Sequence, residues 1–220
     1  MRVLIVAAHP DDEILGVGGT AALHARKGDC VRLVQVCEGI SVRYLPERKS
    51  EVDHQGQLAA QTLGVTSLTQ LANPDQRLDT LPISQIAAQI ESIVREHQPE
   101  MVYTHFIGDL NRDHRIVAEA VMIACRPYAA PSVREVLMFE TPSSTEWGSS
   151  LLLPKFEPTV FVGIDDVMEL KVEAFSSYTA EVREYPHPRS LEAIRERARY
   201  WGSLVNRPAA EPFVLVRGLR

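Results

Sequence analysis

The sequence predicts an α/β fold, a mostly parallel sheet with helices on both of its faces, arranged as one domain over residues 1–220. Two observations predict it. Short β-rich apolar runs alternate along the chain with amphipathic stretches, which is the pattern of parallel βαβ construction. The 220 residues are 45% hydrophobic and 24% charged, an ordinary globular mixture that is too apolar for a disordered chain. A chain of this length buries roughly seven-tenths of its unfolded surface in a single core.

The elements follow in order. A first strand spans 3–8, and a stretch containing Gly16, Gly18 and Gly19 turns into a helix behind it. A second strand spans 31–37, and a weaker one lies near 68–71. Ile83, Ile86, Ile90, Ile93 and Val94 share one helical face, with Pro82 placed in the first turn, where its missing N–H costs nothing. A strand at 101–104 leads to a helix over 114–125, whose stripe of Val117, Ala120, Val121 and Ala124 is stopped by Pro127. After a strand at 133–139, residues 141–158 are rich in Ser, Pro and Gly and read as a long loop, either a lid or a surface excursion between strands. A strand at 159–162 precedes a helix that Ser190 caps and Gly202 ends, with Leu191, Ile194, Ala198 and Trp201 facing the core. A final strand covers 213–216. No internal repeat or low-complexity tract interrupts this order.

Composition also narrows the function. A formal charge of −6 gives no overall basic field for a phosphate backbone, so nucleic acid is excluded as the expected partner. The N-terminal apolar run is cut by His9 and three carboxylates, too short for a signal peptide or a membrane span. The expected location is the cytoplasm. Cys30, Cys37 and Cys125 form no CxxC pair and lie in apolar runs, so they are expected to be buried, reduced core residues.

The most informative residues are His9-Pro10-Asp11-Asp12-Glu13, between the first strand and the first helix. Open parallel sheets bind ligands outside the carboxyl ends of their strands, and this segment sits there. His9 and Asp12 are three residues apart across a sharp turn, close enough to share one ion, while Asp11 points elsewhere and stays available for proton transfer. Aspartates in a first turn often do no more than cap a helix and complement its dipole. A single carboxylate suffices for that, and a histidine with three successive acidic residues repels itself unless a cation is present. Glu13 is the member best read as a helix-start residue. A second cluster repeats the layout: Thr104-His105 end a strand, and Asp109-Leu110-Asn111-Arg112-Asp113-His114 open the next helix. If the two strands are neighbours at the crossover of a doubly wound sheet, Asp113 and His114 face His9 and Asp12 across one crevice. Two imidazoles and one carboxylate with an open position are the ligand set of a catalytic zinc. Fe²⁺, Co²⁺ and Mn²⁺ fit the same donors, and a thiolate site is not expected. His105 reads best as a half-buried histidine bonded to backbone. His24, His54 and His97 stand alone on predicted helices as surface or boundary residues.

HPDDE closing the first strand and DLNRDH opening a later helix together resemble the LmbE / PIG-L family of metal-dependent N-deacetylases. Residues 74–79, the run 103–127, Phe139-Glu140 and residues 185–190 extend the likeness over nearly the whole chain, as in a bacterial branch of that family. The resemblance implies a three-layer Rossmann-like fold. It makes His9, Asp12 and His114 the metal ligands and Asp11 the general base. The implied reaction is hydrolysis of the N-acetyl group of an N-acetylated amino sugar, an N-acetylglucosamine-type conjugate, which releases acetate. Some relatives carry a histidine where this chain has Asn111, and that histidine is thought to stabilise the oxyanion. Here the role stays with Asn111 or shifts to His187 or His105. Asp113 is expected to orient His114 or a neighbouring donor. Arg43, Arg77 and Arg189 are the cations suited to grip a phosphate or sugar hydroxyl, each with a surface ion pair as its alternative. Homo-oligomers are common for such folds, with no interface specified by the sequence.

Three other readings compete. The glycines after the first strand match a nucleotide-binding turn only in composition, since carboxylates occupy the place where amides would cradle pyrophosphate. A metal-retaining protein that binds sugar without turning it over has no evident use for Asp11. A metallophosphoesterase usually needs two ions and more carboxylates.

Overall fold

The computed structural model describes residues 1–40 and 46–219. Among them, the strands are β1 (Arg2–Ala7), β2 (Cys30–Cys37), β3 (Ser67–Asn73), β4 (Met101–His105), β5 (Glu135–Phe139), β6 (Val160–Gly163) and β7 (Ala210–Gly218). The helices are α1 (Asp12–Arg26), α2 (Lys49–Leu63), α3 (Ile83–His97), α4 (Arg112–Ala124), α5 (Met168–Ser176) and α6 (Leu191–Leu204). All strands join one seven-stranded sheet in the order β3-β2-β1-β4-β5-β7-β6. The first five are parallel neighbours, and β7 runs antiparallel to both β5 and β6.

Strand periodicity divides the core into two layers. Val3, Ile5 and Ala7 of β1 face one side and pack with Ile14, Leu15 and Val17 of α1, Ala59 and Leu63 of α2, Phe175 of α5 and Ile194 of α6. Leu4, Val6 and Ala8 face the other and pack with Ile86, Ile90 and Val94 of α3 and Val117 and Val121 of α4. The sheet therefore lies between two helical layers, as the alternation of elements predicts. β1 pairs with β2 on one side and β4 on the other, with Val6 opposite Thr104. The chain winds outward in opposite directions from this pair, which opens a crevice beyond the carboxyl ends of β1 and β4.

The glycines of α1 are explained by packing. A Cβ on Gly16 would lie 2.2 Å from the Phe139 ring, and one on Gly19 would lie 2.8 Å from Ile164. They let the helix approach β5 and the segment after β6, and they are too far along α1 to form a phosphate-binding turn. Below them, Lys171 of α5 donates to Leu15 O (2.8 Å) and to Glu211 Oε1 (2.6 Å), while the Glu211 carboxylate accepts from Gly19 N (2.8 Å) and Thr20 N (2.7 Å). This buried pair ties α1 to α5 and β7.

Several expectations are corrected. α5 has no counterpart in the sequence reading, because it is nine residues long and one of its inward positions is Lys171. α6 passes Gly202 and ends at Leu204. Gly202 is there for close approach, since a Cβ would lie 2.5 Å from Arg207 O. Ser190 does cap this helix, accepting from Ala193 N at 3.0 Å. Cys30 is exposed, being the first residue of β2, whereas Cys37 and Cys125 are buried. His24 is buried rather than superficial, bonded to Asp29 (2.7 Å) and Tyr103 Oη (3.1 Å). His105 is fully buried rather than half-buried. The 141–158 segment is divided: Thr141, Ser144 and Thr145 are buried against the crevice, while Leu151 and Leu152 are exposed. No described helix is long and apolar enough to cross a membrane.

Candidate metal centre

At the end of β1 the chain turns sharply through Asp11, which has φ 101°. A non-glycine residue in this region carries a strain of about 1–3 kcal/mol, which persists where surrounding structure fixes it. Asp11 occupies the N-cap position of α1, yet its side chain makes no capping bond. Its carboxylate turns instead into a polar cavity of about 70 Å³, lined by His9, Asp12, Asp75, Asn111, His114 and Ser144 among others. Capping alone thus does not account for the acidic run.

On the cavity floor three donor atoms converge. Asp12 Oδ2 lies 3.1 Å from His9 Nδ1 and 3.2 Å from His114 Nε2, and the two histidine nitrogens are 3.2 Å apart. Donors about 2.0–2.1 Å from a tetrahedral zinc stand roughly 3.3–3.4 Å from one another, so the triangle fits a single ion after only slight expansion. Each histidine is backed by carboxylate on its outer edge. His114 Nδ1 is 3.1 Å from Asp109 Oδ1. His9 Nε2 is 3.2 Å from both Asp113 Oδ2 and Asp75 Oδ1. Such partners fix the tautomer and orientation of a metal-bound imidazole.

Asp109 is itself held by Ser144 Oγ, Thr145 Oγ1 and the Asn111 N–H (2.8 Å). Asp113 Oδ1 accepts from Leu78 N (3.1 Å). Asp113 therefore orients His9, and the place beside His114 belongs to Asp109.

The electrostatics follow from crowding of buried carboxylates. Burial works against a charged His9 and a charged His114, yet Asp113 and Asp12 raise His9 well above its ordinary value, and Asp12 and Asp109 raise His114 to about 9. Burial opposes ionisation of Asp12 as well, but His114 and His9 hold it well below the carboxylate range. Burial pushes Asp11 well above that range against the pull of Arg189. The carboxylates around both rings thus favour positive charge at this place, which is what a divalent ion supplies.

The remaining predicted residues separate clearly. Arg189 lines the cavity, its Nη1 3.2 Å from Asp11 Oδ2 and its Nε 2.8 Å from Ser143 Oγ, with Glu181 as a further partner. Asn111 caps α4 through Oδ1, which accepts from Asp113 N, and directs Nδ2 toward Gln76 Oε1 at 3.4 Å. His105 stacks on His114 at 4.0 Å between ring centroids, its Nε2 accepting from Ala8 N (2.8 Å) and its Nδ1 3.1 Å from Thr141 Oγ1. Both of its nitrogens are engaged, so it supports the site from behind and the oxyanion role is withdrawn. His187 accepts from Arg189 N (3.1 Å) and lies outside the cavity lining. Arg77 is exposed and also outside that lining. Arg43 lies outside the described residues. Glu13 is buried away from the cavity, bonded to Tyr178 and to Gln35 (3.0 Å), with burial raising it to about 7.

The sequence reading assigns no role to Asp75, Asp109, Gln76 or Ser144. Asp75 is within reach of the same rule that finds His9, because it follows the carboxyl end of β3. Gln76 has φ 55° and Ser143 has φ 68°. With Asp11, they place three strained non-glycine residues around this one cavity.

A family model described as PIG-L, GlcNAc-PI de-N-acetylase, matches residues 4–125. The chain is 29% identical over 183 residues to the uncharacterized deacetylase YaiS of Escherichia coli, covering 80% of this chain and 89% of that protein. It is 26% identical over 191 residues to the 1D-myo-inositol 2-acetamido-2-deoxy-alpha-D-glucopyranoside deacetylase of Kineococcus radiotolerans, covering 64% of this chain and only 53% of that longer protein. Among solved structures, the conserved protein TT1542 of Thermus thermophilus has the same fold, with a TM-score of 0.81, 24% identity and coverage of 99% and 96% of the two chains. The family match takes in more than half of the 220 residues and includes every member of the donor triangle, and the chain belongs to the PIG-L family of deacetylases.

Proposed function

We propose that the chain is a metal-dependent N-deacetylase that hydrolyses the acetamide of an N-acetylated amino sugar, an N-acetylglucosamine-type conjugate, and acts in the cytoplasm. The observation that carries this reading is the His9–Asp12–His114 triangle at the floor of a polar cavity, with the Asp11 carboxylate beside it and uncommitted to the helix. Zinc is the first choice for the ion, and Fe²⁺, Co²⁺ or Mn²⁺ suit the same two-imidazole, one-carboxylate set. When bound, the ion supplies Lewis acidity, which acidifies water and polarises an acyl oxygen.

The chain's own residues do the rest. Asp11 takes the proton of the attacking water at its carboxylate and returns it to the leaving amine. Arg189, 3.2 Å away, fixes the direction of that carboxylate and holds its charge in the cavity wall. Asp109 and Asp113 hold His114 and His9 in the tautomers that present Nε2 and Nδ1 inward. Asn111 Nδ2 remains on the cavity wall as a hydrogen-bond donor toward the acyl oxygen, and His187 acts only through the backbone of Arg189. Arg189 has the better claim to touch substrate than Arg77, because Arg189 alone of the two lines the cavity.

The test is metal content by mass spectrometry together with acetate release from a panel of N-acetylglucosamine conjugates, for wild type and Asp11→Asn. About one metal per chain in both proteins, with acetate from wild type alone, is the expected result. Absence of bound metal after zinc is supplied, or equal turnover by Asp11→Asn, overturns the reading.

A further inference from the structure

One buried nucleophile beside the centre has no part in this reaction. Cys37 ends β2 at 1% exposure, and its N–H donates to Ala8 O at 2.8 Å, which fixes the thiol next to His9. Sγ lies 3.7 Å from Asp113 Oδ2, and the same carboxylate oxygen lies 3.2 Å from His9 Nε2. One ligand atom from each of His9, Cys37 and Asp113 falls within 4.8 Å of the others. Asp75 Oδ1 approaches the same ring nitrogen at 3.2 Å. The outer edge of the His9 ring thus meets sulfur and oxygen donors, just as its inner edge meets Asp12 and His114.

We propose that His9, Cys37 and Asp113 form a second, inhibitory site for a thiophilic divalent cation such as cadmium or excess zinc. The proposal rests on the reading of His9, Asp12 and His114 as the catalytic ion's ligands. A neutral imidazole has one lone pair and one N–H. In the catalytic arrangement Nδ1 carries the lone pair, and Nε2–H donates to Asp113. A cation on the outer edge takes the lone pair of Nε2, and the ring proton moves to Nδ1, where it faces Asp12 and removes one ligand from the inner ion. The Cys37 thiol releases its proton to solvent as the metal–sulfur bond forms. Asp113 changes from acceptor to ligand. The two sites share one histidine and exclude each other, and the sulfur donor selects soft ions over Mg²⁺ or Ca²⁺.

The experiment uses the full chain with Cys30→Ala to remove the exposed thiol, loaded with one equivalent of zinc. Cadmium is titrated in while ultraviolet thiolate-to-cadmium absorption, zinc release to a chromogenic chelator and acetate release are followed. The expected result is absorption that saturates with one added equivalent, zinc released in parallel, and acetate release reduced by about tenfold or more, as for loss of a metal-site partner. Adding Cys37→Ala, or Cys37→Ser, abolishes the absorption and the inhibition and leaves activity without cadmium unchanged. His114→Ala, which breaks only the inner set, retains the absorption, so a failure of the catalytic-metal reading is told apart from a failure of this one. No thiolate absorption, absorption that survives Cys37→Ala, or zinc retained at full cadmium occupancy overturns the proposal.

Discussion

Asp109→Asn isolates the support of one ligand from the ligand itself. The carboxylate is fully buried and holds four groups: Ser144 Oγ and the Asn111 N–H on Oδ1, Thr145 Oγ1 on Oδ2, and His114 Nδ1 at 3.1 Å from Oδ1. Asparagine has the same shape. With its oxygen in the Oδ1 position it still accepts from Asn111 and Ser144, and its amide nitrogen meets a Thr145 hydroxyl that rotates to accept. One hydrogen bond changes direction, and because Thr145 Oγ1 already accepts from Thr141 N, the Thr145 hydroxyl hydrogen and the second amide N–H are left without acceptors, so the cost to folding without metal is about 1–3 kcal/mol. The negative charge behind His114 is what disappears. Loss of such a partner weakens metal binding by about 10–100-fold, or roughly 1.4–2.8 kcal/mol. Competition with a chelator of known affinity measures the binding, and denaturant unfolding of the metal-stripped protein measures the folding cost. Wild-type metal affinity in a folded Asp109→Asn protein would refute the assignment of this carboxylate to His114. A folding loss well above about 3 kcal/mol would refute the hydrogen-bond accounting.

Three further outcomes are expected. Lys171→Met leaves the Glu211 carboxylate buried without its counter-charge and Leu15 O without its donor, and it lowers stability by about 3–5 kcal/mol. In a double-mutant cycle with Glu211→Gln, additive losses would show that the pair is not coupled. Gly16→Ala drives a Cβ to 2.2 Å from Phe139 and costs about 1–3 kcal/mol or more by thermal unfolding, and a neutral result would remove the packing explanation of that glycine. Chelation of a metal present at roughly 100 times its Kd lowers unfolding stability by about 2.7 kcal/mol, and re-adding zinc restores it. An unfolding temperature that chelator and zinc leave unchanged would argue against a metal bound at this centre.

The parts of this molecule that were legible in the sequence are those that depend on neighbours along the chain. Alternation of apolar runs with helical stripes placed all seven strands, because each strand face is filled by its own every-second residue, as with Val3, Ile5 and Ala7 against Leu4, Val6 and Ala8. The strand-end rule then placed His9 and Asp12 beside His114 once β1 and β4 were taken as neighbours. What escaped depends on pairs far apart in sequence. Asp11 meets Arg189 across 178 positions, and Asp109 meets the Ser144–Thr145 loop across 35 and 36. No local pattern records which carboxylate backs which histidine, and adjacency misleads: Asp113, next in sequence to His114, turns to His9 instead. The reason is the helix start. Asp113 and His114 are successive residues of α4's first turn, about 100° apart around its axis. They therefore face different sides of the site, and the histidine's support comes from Asp109, in the loop that precedes the helix. A strand-end rule applied to β3 as well as β1 and β4 reaches Asp75. The carboxylates that tune the centre obey the same placement rule as its ligands, and only their pairing requires the folded chain.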